Sequence, residues 1–262
     1  MNRLDRCLAA LRQRGRPGLV TYVTAGDPDF ATSVALLARL GASGADIIEL
    51  GMPFSDPVAD GPVIQQAHQR ALANGQTMAK TLAMVAELRK YDARTPVVLM
   101  GYLNPVMQYG VDLFMQEAAQ SGVDGLLLVD LPFEHAADYR RLAMAHGMSL
   151  IPMTAPGSDE ARLARILEGA SGFIYHVSVN GITGGSSSRS AHELAPAVAQ
   201  IRRHSPLPVA LGFGIRSEAQ LAQLQGIADL LVVGSALVQT LCEEGVDALC
   251  ERVRSMASVL AG

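Results

Sequence analysis

Short, almost uninterrupted apolar segments recur along the chain, separated by longer stretches that mix apolar and charged residues. The longer stretches, such as ATSVALLARLGASG from Ala31, have the apolar spacing of amphipathic helices. The apolar segments are typical of strands buried on both faces. They are GLVTYVTA from Gly18, ADIIELG from Ala45, PVVLMGY from Pro96, GLLLVD from Gly125, MSLIPMT from Met148, GFIYHVS from Gly172, PVALGFG from Pro208 and LLVVGSA from Leu230.

This alternation predicts an α/β fold in which a parallel sheet is covered by helices. Eight such units close most naturally into a (β/α)8 TIM barrel, here a single domain over residues 1–262. The opening MNRLDRCLAALRQRG predicts an extra N-terminal helix. Ser217 with Gln220 predicts a capping box, and Ser158, followed by two acids, predicts another helix start. A doubly wound sheet is the alternative, but the sequence lacks its G-x-G-x-x-G turn after the first strand.

The composition is that of an ordinary soluble globular protein, with 49% apolar residues, 18% charged residues and a formal net charge of −4. There is no Lys/Arg cluster, and no apolar run has the length of a membrane span or the form of a secretion signal. Cys7, Cys242 and Cys250 lie in helical patterns without metal-binding spacing, so we expect buried, reduced thiols. These features predict a cytoplasmic protein with neither nucleic-acid nor membrane partners.

Glu49 is the first candidate for chemistry, because function in such barrels lies at the carboxyl ends of the strands. It stands near the end of the second predicted strand, on the same face as Ile47. A buried acid is costly unless it is neutralised or used, and such carboxylates are concentrated at active sites. The alternatives are that Glu49 pairs with an arginine or faces the helix layer.

The loop that follows, GMPFSDPVADGP from Gly51, is longer than a simple connection. Its Asp60 precedes Gly61 and Pro62, a pattern that by itself favours a turn or a helix N-cap over catalysis. Asp56 is best interpreted as solvated or capping.

A phosphate site is predicted where the last two strands end, at GFG from Gly212 and GSA from Gly234. Glycines let backbone N–H groups approach an anion, and the helix that opens after Ser235 offers the positive end of its dipole. The same two loops bind phosphate in many barrels of this class. The loop NGITGGSSSRS from Asn180 either adds donors at Gly184 and Gly185 or is a linker.

The sequence lacks the residues that two other classes of enzyme would need. The only lysines, Lys80 and Lys90, lie in a helical stretch away from strand ends, and the six histidines show no metal-ligand spacing. A pyridoxal enzyme and a metal aldolase are therefore disfavoured. The remaining hypothesis is an enzyme that anchors its substrate by a phosphate group and acts on it with carboxylates. Tyr22, Tyr102 and Tyr175 lie either at this site or in the core.

Several segments resemble the signatures of tryptophan synthase α subunits, in the family's order and over nearly the whole chain. The most specific is ELGMPFSDPVADGPVIQ from Glu49. The others are VTAGDP from Val23, LMGYLNPV from Leu99, DLPFE from Asp130, GITG from Gly181, GFGI from Gly212 and GSA from Gly234. The resemblance implies a lyase that cleaves indole-3-glycerol phosphate to indole and glyceraldehyde 3-phosphate.

The resemblance also implies roles for individual residues. Glu49 would move a proton between the substrate hydroxyl and indole C3, and Asp60 would accept a hydrogen bond from the indole N–H. Tyr175 would lie near Glu49, and Thr183 would orient Asp60 when the sixth loop closes. The implied phosphate ligands are Gly184, Phe213, Gly214, Gly234 and Ser235, and the implied walls around the indole are Tyr22, Met100, Tyr102 and Leu127.

A partner is implied as well. The family works as an α2β2 complex whose β subunit carries pyridoxal phosphate and receives indole through a tunnel, so this chain itself would hold no cofactor and no metal. The implied contact residues are Pro53, Asp56, Asn104 and Pro132. The sequence departs from the family pattern at Tyr22, where Phe is expected, and in the Ser-rich run after Thr183.

Three alternatives stay open. A phosphate-binding barrel isomerase would not need the loop after Glu49. A ligand-binding regulator without catalysis would have lost a carboxylate, and a stand-alone lyase would have lost the contact residues.

Overall fold

The protein is built around one parallel sheet, which the computed structural model describes over residues 2–177, 191–212 and 214–262. The strands follow one another in the hydrogen-bonded order β5-β4-β3-β2-β1-β9-β8-β7-β6. Their bounds are β1 Gly18–Thr24, β2 Ile47–Gly51, β3 Val97–Gly101, β4 Gly125–Leu128, β5 Ser149–Leu150, β6 Met153–Thr154, β7 Ile174–Val177, β8 Val209–Gly212 and β9 Leu230–Val233.

The sheet closes on itself, because its two end strands, β5 and β6, are consecutive pieces of the same stretch of chain. On one side the Ile151 N–H donates to the Leu126 carbonyl at 2.8 Å, and on the other the Tyr175 N–H donates to the Pro152 carbonyl at 2.9 Å. The eight predicted strands are thus confirmed as a barrel. The continuity predicted for the fifth strand is wrong, since Pro152 has no N–H for a ladder and the strand divides around it.

Helices surround the barrel, as predicted. They are α1 Arg3–Arg14, α2 Phe30–Leu40, α3 Pro62–Ala73, α4 Met78–Leu88, α5 Leu103–Tyr109, α6 Val111–Ser121, α7 Ala136–Ala145, α8 Glu160–Leu167, α9 Ala191–His204, α10 Glu218–Leu224 and α11 Ser235–Ala261. Helix α11 is kinked at Gly245. Over the described residues, none of the helices combines the length and the apolar character needed to cross a membrane.

Two apolar layers hold the fold together. The larger lies between the outer faces of the strands and the helices, and the smaller fills the barrel interior. Helix α1, the predicted extra helix, inserts Leu4 and Leu11 into the interior cluster. Since Leu11 lies against Gly18 at the start of β1, α1 covers the amino-terminal end of the barrel and leaves the carboxyl end for the site.

Three aspartates fix neighbouring strands at the amino-terminal end. Each stands just before a strand and accepts, through its side chain, the backbone N–H of a residue in the preceding strand. The pairs are Leu19 to Asp46 at 2.9 Å, Val97 to Asp124 at 2.9 Å and Val209 to Asp229 at 2.8 Å. In each pair the backbone N–H of the aspartate returns a bond to the carbonyl of the same partner. These reciprocal bonds set the register on which the opposite end depends.

The local signals in the sequence are only partly confirmed. Ser217 caps α10 through the Gln220 N–H, but the Gln220 side chain accepts the Arg216 N–H rather than completing the capping box. Helix α8 is capped by Asp159, one residue beyond the predicted Ser158. The expectation of buried thiols holds for Cys250, whereas Cys7 is half-buried and Cys242 is exposed.

Candidate active site

Glu49 lies in β2 near the carboxyl end of the barrel. It is 1% exposed and is paired in register with Tyr22 of β1. Both of its carboxyl oxygens are buried with no hydrogen-bond partner among the described residues, so the alternative of a paired arginine has no support there. Burial, and then the negative charge of Asp60, raise the pKa of Glu49 from an ordinary 4.5 to about 8. At neutral pH the group is therefore protonated and able to give up a proton.

Asp60 lies in the loop between β2 and α3 and is 4% exposed. Its Oδ2 accepts a hydrogen bond from the Tyr102 hydroxyl at 2.7 Å, and the same hydroxyl accepts the Ala59 N–H at 3.0 Å. The N-cap position of α3 is occupied by Gly61, so the interpretation of Asp60 as a cap is wrong. Burial raises the pKa of Asp60 to about 6, and the Tyr102 bond opposes that rise. The side chain is therefore mostly ionised at neutral pH.

One pocket brings the two carboxylates together. It contains about 460 Å³ of empty space, part of it open to solvent. The other predicted site residues in its wall are Tyr22, Met100, Tyr175, Gly214, Gly234 and Ser235. Two carboxyl groups, aromatic side chains and glycines of two loops therefore share one space at the carboxyl end of the barrel.

Tyr22 and Tyr175 occupy room that two glycines leave free. The Tyr22 ring lies against Gly51 of β2 and the Tyr175 ring against Gly212 of β8, and a side chain at either glycine would overlap the ring. Burial raises the pKa of both tyrosines well above 10, with the charges of Asp60 and Glu49 adding to the effect. Both hydroxyls therefore keep their protons at neutral pH.

Two predicted wall residues lie behind the pocket surface. Leu127 is fully buried in the interior cluster. Tyr102 contacts the site through Asp60, and its ring centroid is 5.3 Å from that of Phe54. Tyr102 therefore holds the loop that carries Asp60.

The predicted phosphate ligands are described in part. Gly214, Gly234 and Ser235 line the pocket, and α11 begins at Ser235, so its first turn starts in the pocket wall. Gly184 and Phe213 fall outside the described residues, as does Thr183.

The predicted contact residues lie around the mouth of this end of the barrel. Asp56, Asn104 and Pro132 are exposed, and Pro53 is half-buried. Two exposed apolar side chains accompany them, Val58 in the same loop as Asp56 at 76% and Met107 in the same helix as Asn104 at 55%.

Several residues near the site were missed by sequence reasoning. Ile64, Ile215, Arg216 and Val232 also line the pocket. His68 and Gln65 hold the β2–α3 loop, since His68 Nδ1 accepts the Phe54 N–H at 3.0 Å and Gln65 Nε2 donates to the Asp60 carbonyl at 2.8 Å. Ile64 and His68 are one helical turn apart, and this spacing is the signal in the sequence that could have placed them on one face of a helix.

No group of three or more His, Cys, Asp or Glu side chains is arranged to hold a metal ion in the described part of the chain. The titratable groups of the pocket are instead two carboxyls, two tyrosines and the guanidinium of Arg216.

Comparison with known proteins assigns this geometry to a family. The family model described as "Tryptophan synthase alpha chain" matches residues 8–259. The tryptophan synthase alpha chain of Legionella pneumophila subsp. pneumophila is similar in structure with a TM-score of 0.91 and 40% identity, over 99% of this chain and 97% of that one. A chain of Mycobacterium tuberculosis tryptophan synthase is similar with a TM-score of 0.91 and 37% identity, over 100% and 99%.

Proposed function

Because the chain belongs to the tryptophan synthase alpha chain family, we propose that Glu49 and Asp60 are the two carboxylates that carry out its reaction. The chain is a carbon–carbon lyase that cleaves indole-3-glycerol phosphate to indole and glyceraldehyde 3-phosphate for tryptophan synthesis. An isomerase of another family is thereby excluded. The proposal rests above all on two buried carboxyl groups in one pocket, with pKa values raised to about 8 and about 6.

Glu49 acts first as the acid. Its protonated carboxyl donates to indole C3, which turns the ring into an electron-poor iminium form while N1 keeps its hydrogen. The resulting Glu49 carboxylate then takes the proton of the adjacent glycerol hydroxyl. As that O–H bond breaks, the carbonyl of glyceraldehyde 3-phosphate forms and the carbon–carbon bond electrons return to the ring. Glu49 ends protonated, so it completes one cycle without net gain or loss of a proton.

Asp60 stabilises the charge that appears on the ring. An ionised carboxylate that accepts the indole N–H is attracted more strongly to the iminium form than to neutral indole, which lowers the barrier rather than merely binding substrate. The Tyr102 bond fixes one oxygen of Asp60 and leaves the other for the substrate. Each such acid or base typically contributes about 10²–10⁴-fold to the rate. Thr183 completes the orientation of Asp60 in this proposal.

The remaining residues bind the two ends of the substrate. Indole is held between Tyr22, Met100 and Tyr175, while Tyr102 and Leu127 support this wall from behind the pocket surface. Phosphate is held by Gly184, Phe213, Gly214, Gly234 and Ser235. The start of α11 at Ser235 supports this assignment, since a helix N-terminus offers unpaired N–H groups and a favourable dipole.

A β subunit is the partner of chains in this family. We propose further that the assembly is α2β2, that pyridoxal phosphate belongs to the β subunit, and that Pro53, Asp56, Asn104 and Pro132 lie at the contact. The exposed Val58 and Met107 support an interface at this end. A cytoplasmic location stays a prediction.

The test of the function is a product assay on the purified full chain mixed with β subunit. We expect indole and glyceraldehyde 3-phosphate in equal amounts from indole-3-glycerol phosphate. Indole glycerol without the phosphate is the matched control, and its KM is expected to be at least tenfold higher because the phosphate contacts are lost. Failure to form indole from the phosphorylated substrate would overturn the function, and equal KM values would overturn the phosphate end of the site.

A further inference from the structure

His68 of α3 is a buried histidine that neither proton-transfer step uses. It is 2% exposed. Its Nδ1 lies 3.0 Å from the backbone nitrogen of Phe54, and its Nε2 lies 3.3 Å from the hydroxyl oxygen of Tyr22. The Tyr22 hydroxyl is also 3.3 Å from Thr24 Oγ1. One imidazole therefore touches both the loop after β2 and an aromatic wall of the pocket.

The direction of each hydrogen bond follows from the backbone donor. An amide N–H can only donate, so His68 Nδ1 is the acceptor and carries no proton. Burial lowers the pKa of His68 to about 4, so the ring is neutral and its single proton is on Nε2. Nε2 then donates to the Tyr22 hydroxyl, which shares a further hydrogen bond with the Thr24 hydroxyl.

The same histidine is connected to Asp60 through the loop. It holds the backbone of Phe54, the Phe54 ring packs on Tyr102, and the Tyr102 hydroxyl binds Asp60 at 2.7 Å. A shift of His68 would therefore move Tyr22 on one side and the support of Asp60 on the other. Misplacement of such groups by about 1 Å can slow a reaction about 10²-fold.

We propose that His68 is a positioning residue for the cleavage reaction, which holds Tyr22 in the pocket wall and the Phe54 segment of the loop that carries Asp60. This inference rests on the proposed function. It deepens that function by connecting Tyr22, which departs from the expected family pattern, to a buried partner.

The two hydrogen bonds of His68, to Phe54 and to Tyr22, are tested separately by substitutions in the full chain. Each variant is assayed for cleavage with β subunit present. His68→Leu removes both bonds, and we expect kcat to fall and KM to rise, with kcat/KM lower by about tenfold or more. His68→Asn keeps an amide near the position of Nδ1 for the Phe54 N–H but cannot reach Tyr22. Tyr22→Phe removes the same second bond from the other side, together with the bond between Tyr22 and Thr24. Each of these two is expected to raise KM by roughly threefold and to leave kcat within about twofold.

The double variant of Tyr22→Phe with His68→Asn distinguishes positioning from a merely structural role. Both changes break the His68–Tyr22 bond, and Tyr22→Phe also breaks the bond to Thr24, so the double variant should have the KM of Tyr22→Phe alone rather than the product of the two effects. Effects that multiply, or no change of KM in either single variant, would overturn the proposal, and this holds even if His68→Leu does not fold.

Gln69→Leu is the matched control, since Gln69 is the next residue of α3 and is exposed. It should retain wild-type kcat and KM. If wild-type chain forms no indole, the proposed function fails. If wild type and His68→Leu are equally active, only the role of His68 fails.

Discussion

Glu49 and Asp60 are both buried carboxyl groups, yet their surroundings separate their roles. Glu49 has no hydrogen-bond donor among the described residues, so nothing offsets the cost of ionising it. Asp60 has the Tyr102 hydroxyl as a donor, which stabilises its charged form. One bond of 2.7 Å thus helps to leave Glu49 as the acid and Asp60 as the anion.

This difference predicts a bell-shaped dependence of kcat/KM on pH. Activity requires Asp60 ionised and Glu49 protonated, so it should rise through about pH 6 and fall through about pH 8. The substrate phosphate also titrates at a pH of about 6, so the alkaline limb is the diagnostic one. In Asp60→Asn the alkaline limb should move to lower pH, because the charge of Asp60 helps to raise the pKa of Glu49. Steady-state rates from pH 5 to 9.5 check this, and an alkaline limb that Asp60→Asn leaves in place contradicts it.

The burial of Glu49 should also lower the free energy of unfolding of the protein as the pH rises. The pKa of Glu49 is higher in the folded chain than the ordinary 4.5, so the folded state keeps a proton that the unfolded chain loses. The penalty is absent below pH 4.5, grows as pH rises and is complete above about pH 8, where it reaches roughly 5 kcal/mol. Glu49→Gln removes this penalty.

Urea denaturation of Glu49→Gln and wild type at pH 5, 7 and 9 measures the effect. The free energy of unfolding of the variant minus that of wild type is the quantity compared. We expect this difference to increase by at least about 2 kcal/mol between pH 5 and pH 9. Parallel pH curves would mean that Glu49 is not held protonated by the fold.

The two carboxylates also differ in how far the sequence predicts them. Glu49 stands out because an acid interrupts an apolar strand, and that local pattern is enough. Asp60 looks like a cap, because the contact that defines it comes from Tyr102, 42 positions away, and only the family resemblance pointed to its role. His68 gave no sign of its partners, which lie in β1 and in the loop before α3.

At the scale of the elements, the strands were predictable because burial on both faces leaves continuous apolar runs. The exceptions have local causes. Pro152 divides the fifth strand, and Asp159 rather than Ser158 caps α8, since either side chain could serve and only the path of the chain selects one.

The register bonds at the amino-terminal end lead to a stability prediction at Asp124. This carboxylate is 3% exposed and accepts the Val97 N–H, Arg3 and Arg89. Asp124→Asn keeps the shape but leaves two arginines without their counter-charge, so we expect a loss of about 3 kcal/mol in the free energy of unfolding.

Asp138→Asn is the control for that measurement. Asp138 and its partner Arg141 have side chains that are 84% and 72% exposed, and such pairs contribute about 0–1 kcal/mol. Chemical denaturation should separate the two variants clearly. Equal losses would show that the buried aspartate does not hold β3 and β4 in register.

The whole molecule divides its tasks between the two ends of the barrel. Helix α1 and the aspartate bonds close the amino-terminal end, while the pocket and the exposed contact residues share the carboxyl end. The β2–α3 loop carries both Asp60, in the pocket, and Asp56, at the surface. A protein that binds this surface can therefore change the position of Asp60, which we propose to be catalytic.

We predict from this arrangement that β subunit raises the lyase rate. The full chain alone should be weakly active, and saturating β subunit should increase kcat/KM by at least about tenfold, because binding and loop position are coupled. Light scattering of the mixture should give the mass of two chains of each kind. A chain that is fully active alone and does not associate with β subunit would be a stand-alone lyase.

The most direct test of the account is the rate of indole formation by Glu49→Gln at saturating indole-3-glycerol phosphate, with β subunit present. We predict a fall of at least about 10³-fold with the substrate Kd within about threefold of wild type, because the proton carrier is lost and the phosphate contacts remain. Cleavage within tenfold of wild type would contradict it and remove Glu49 from the reaction.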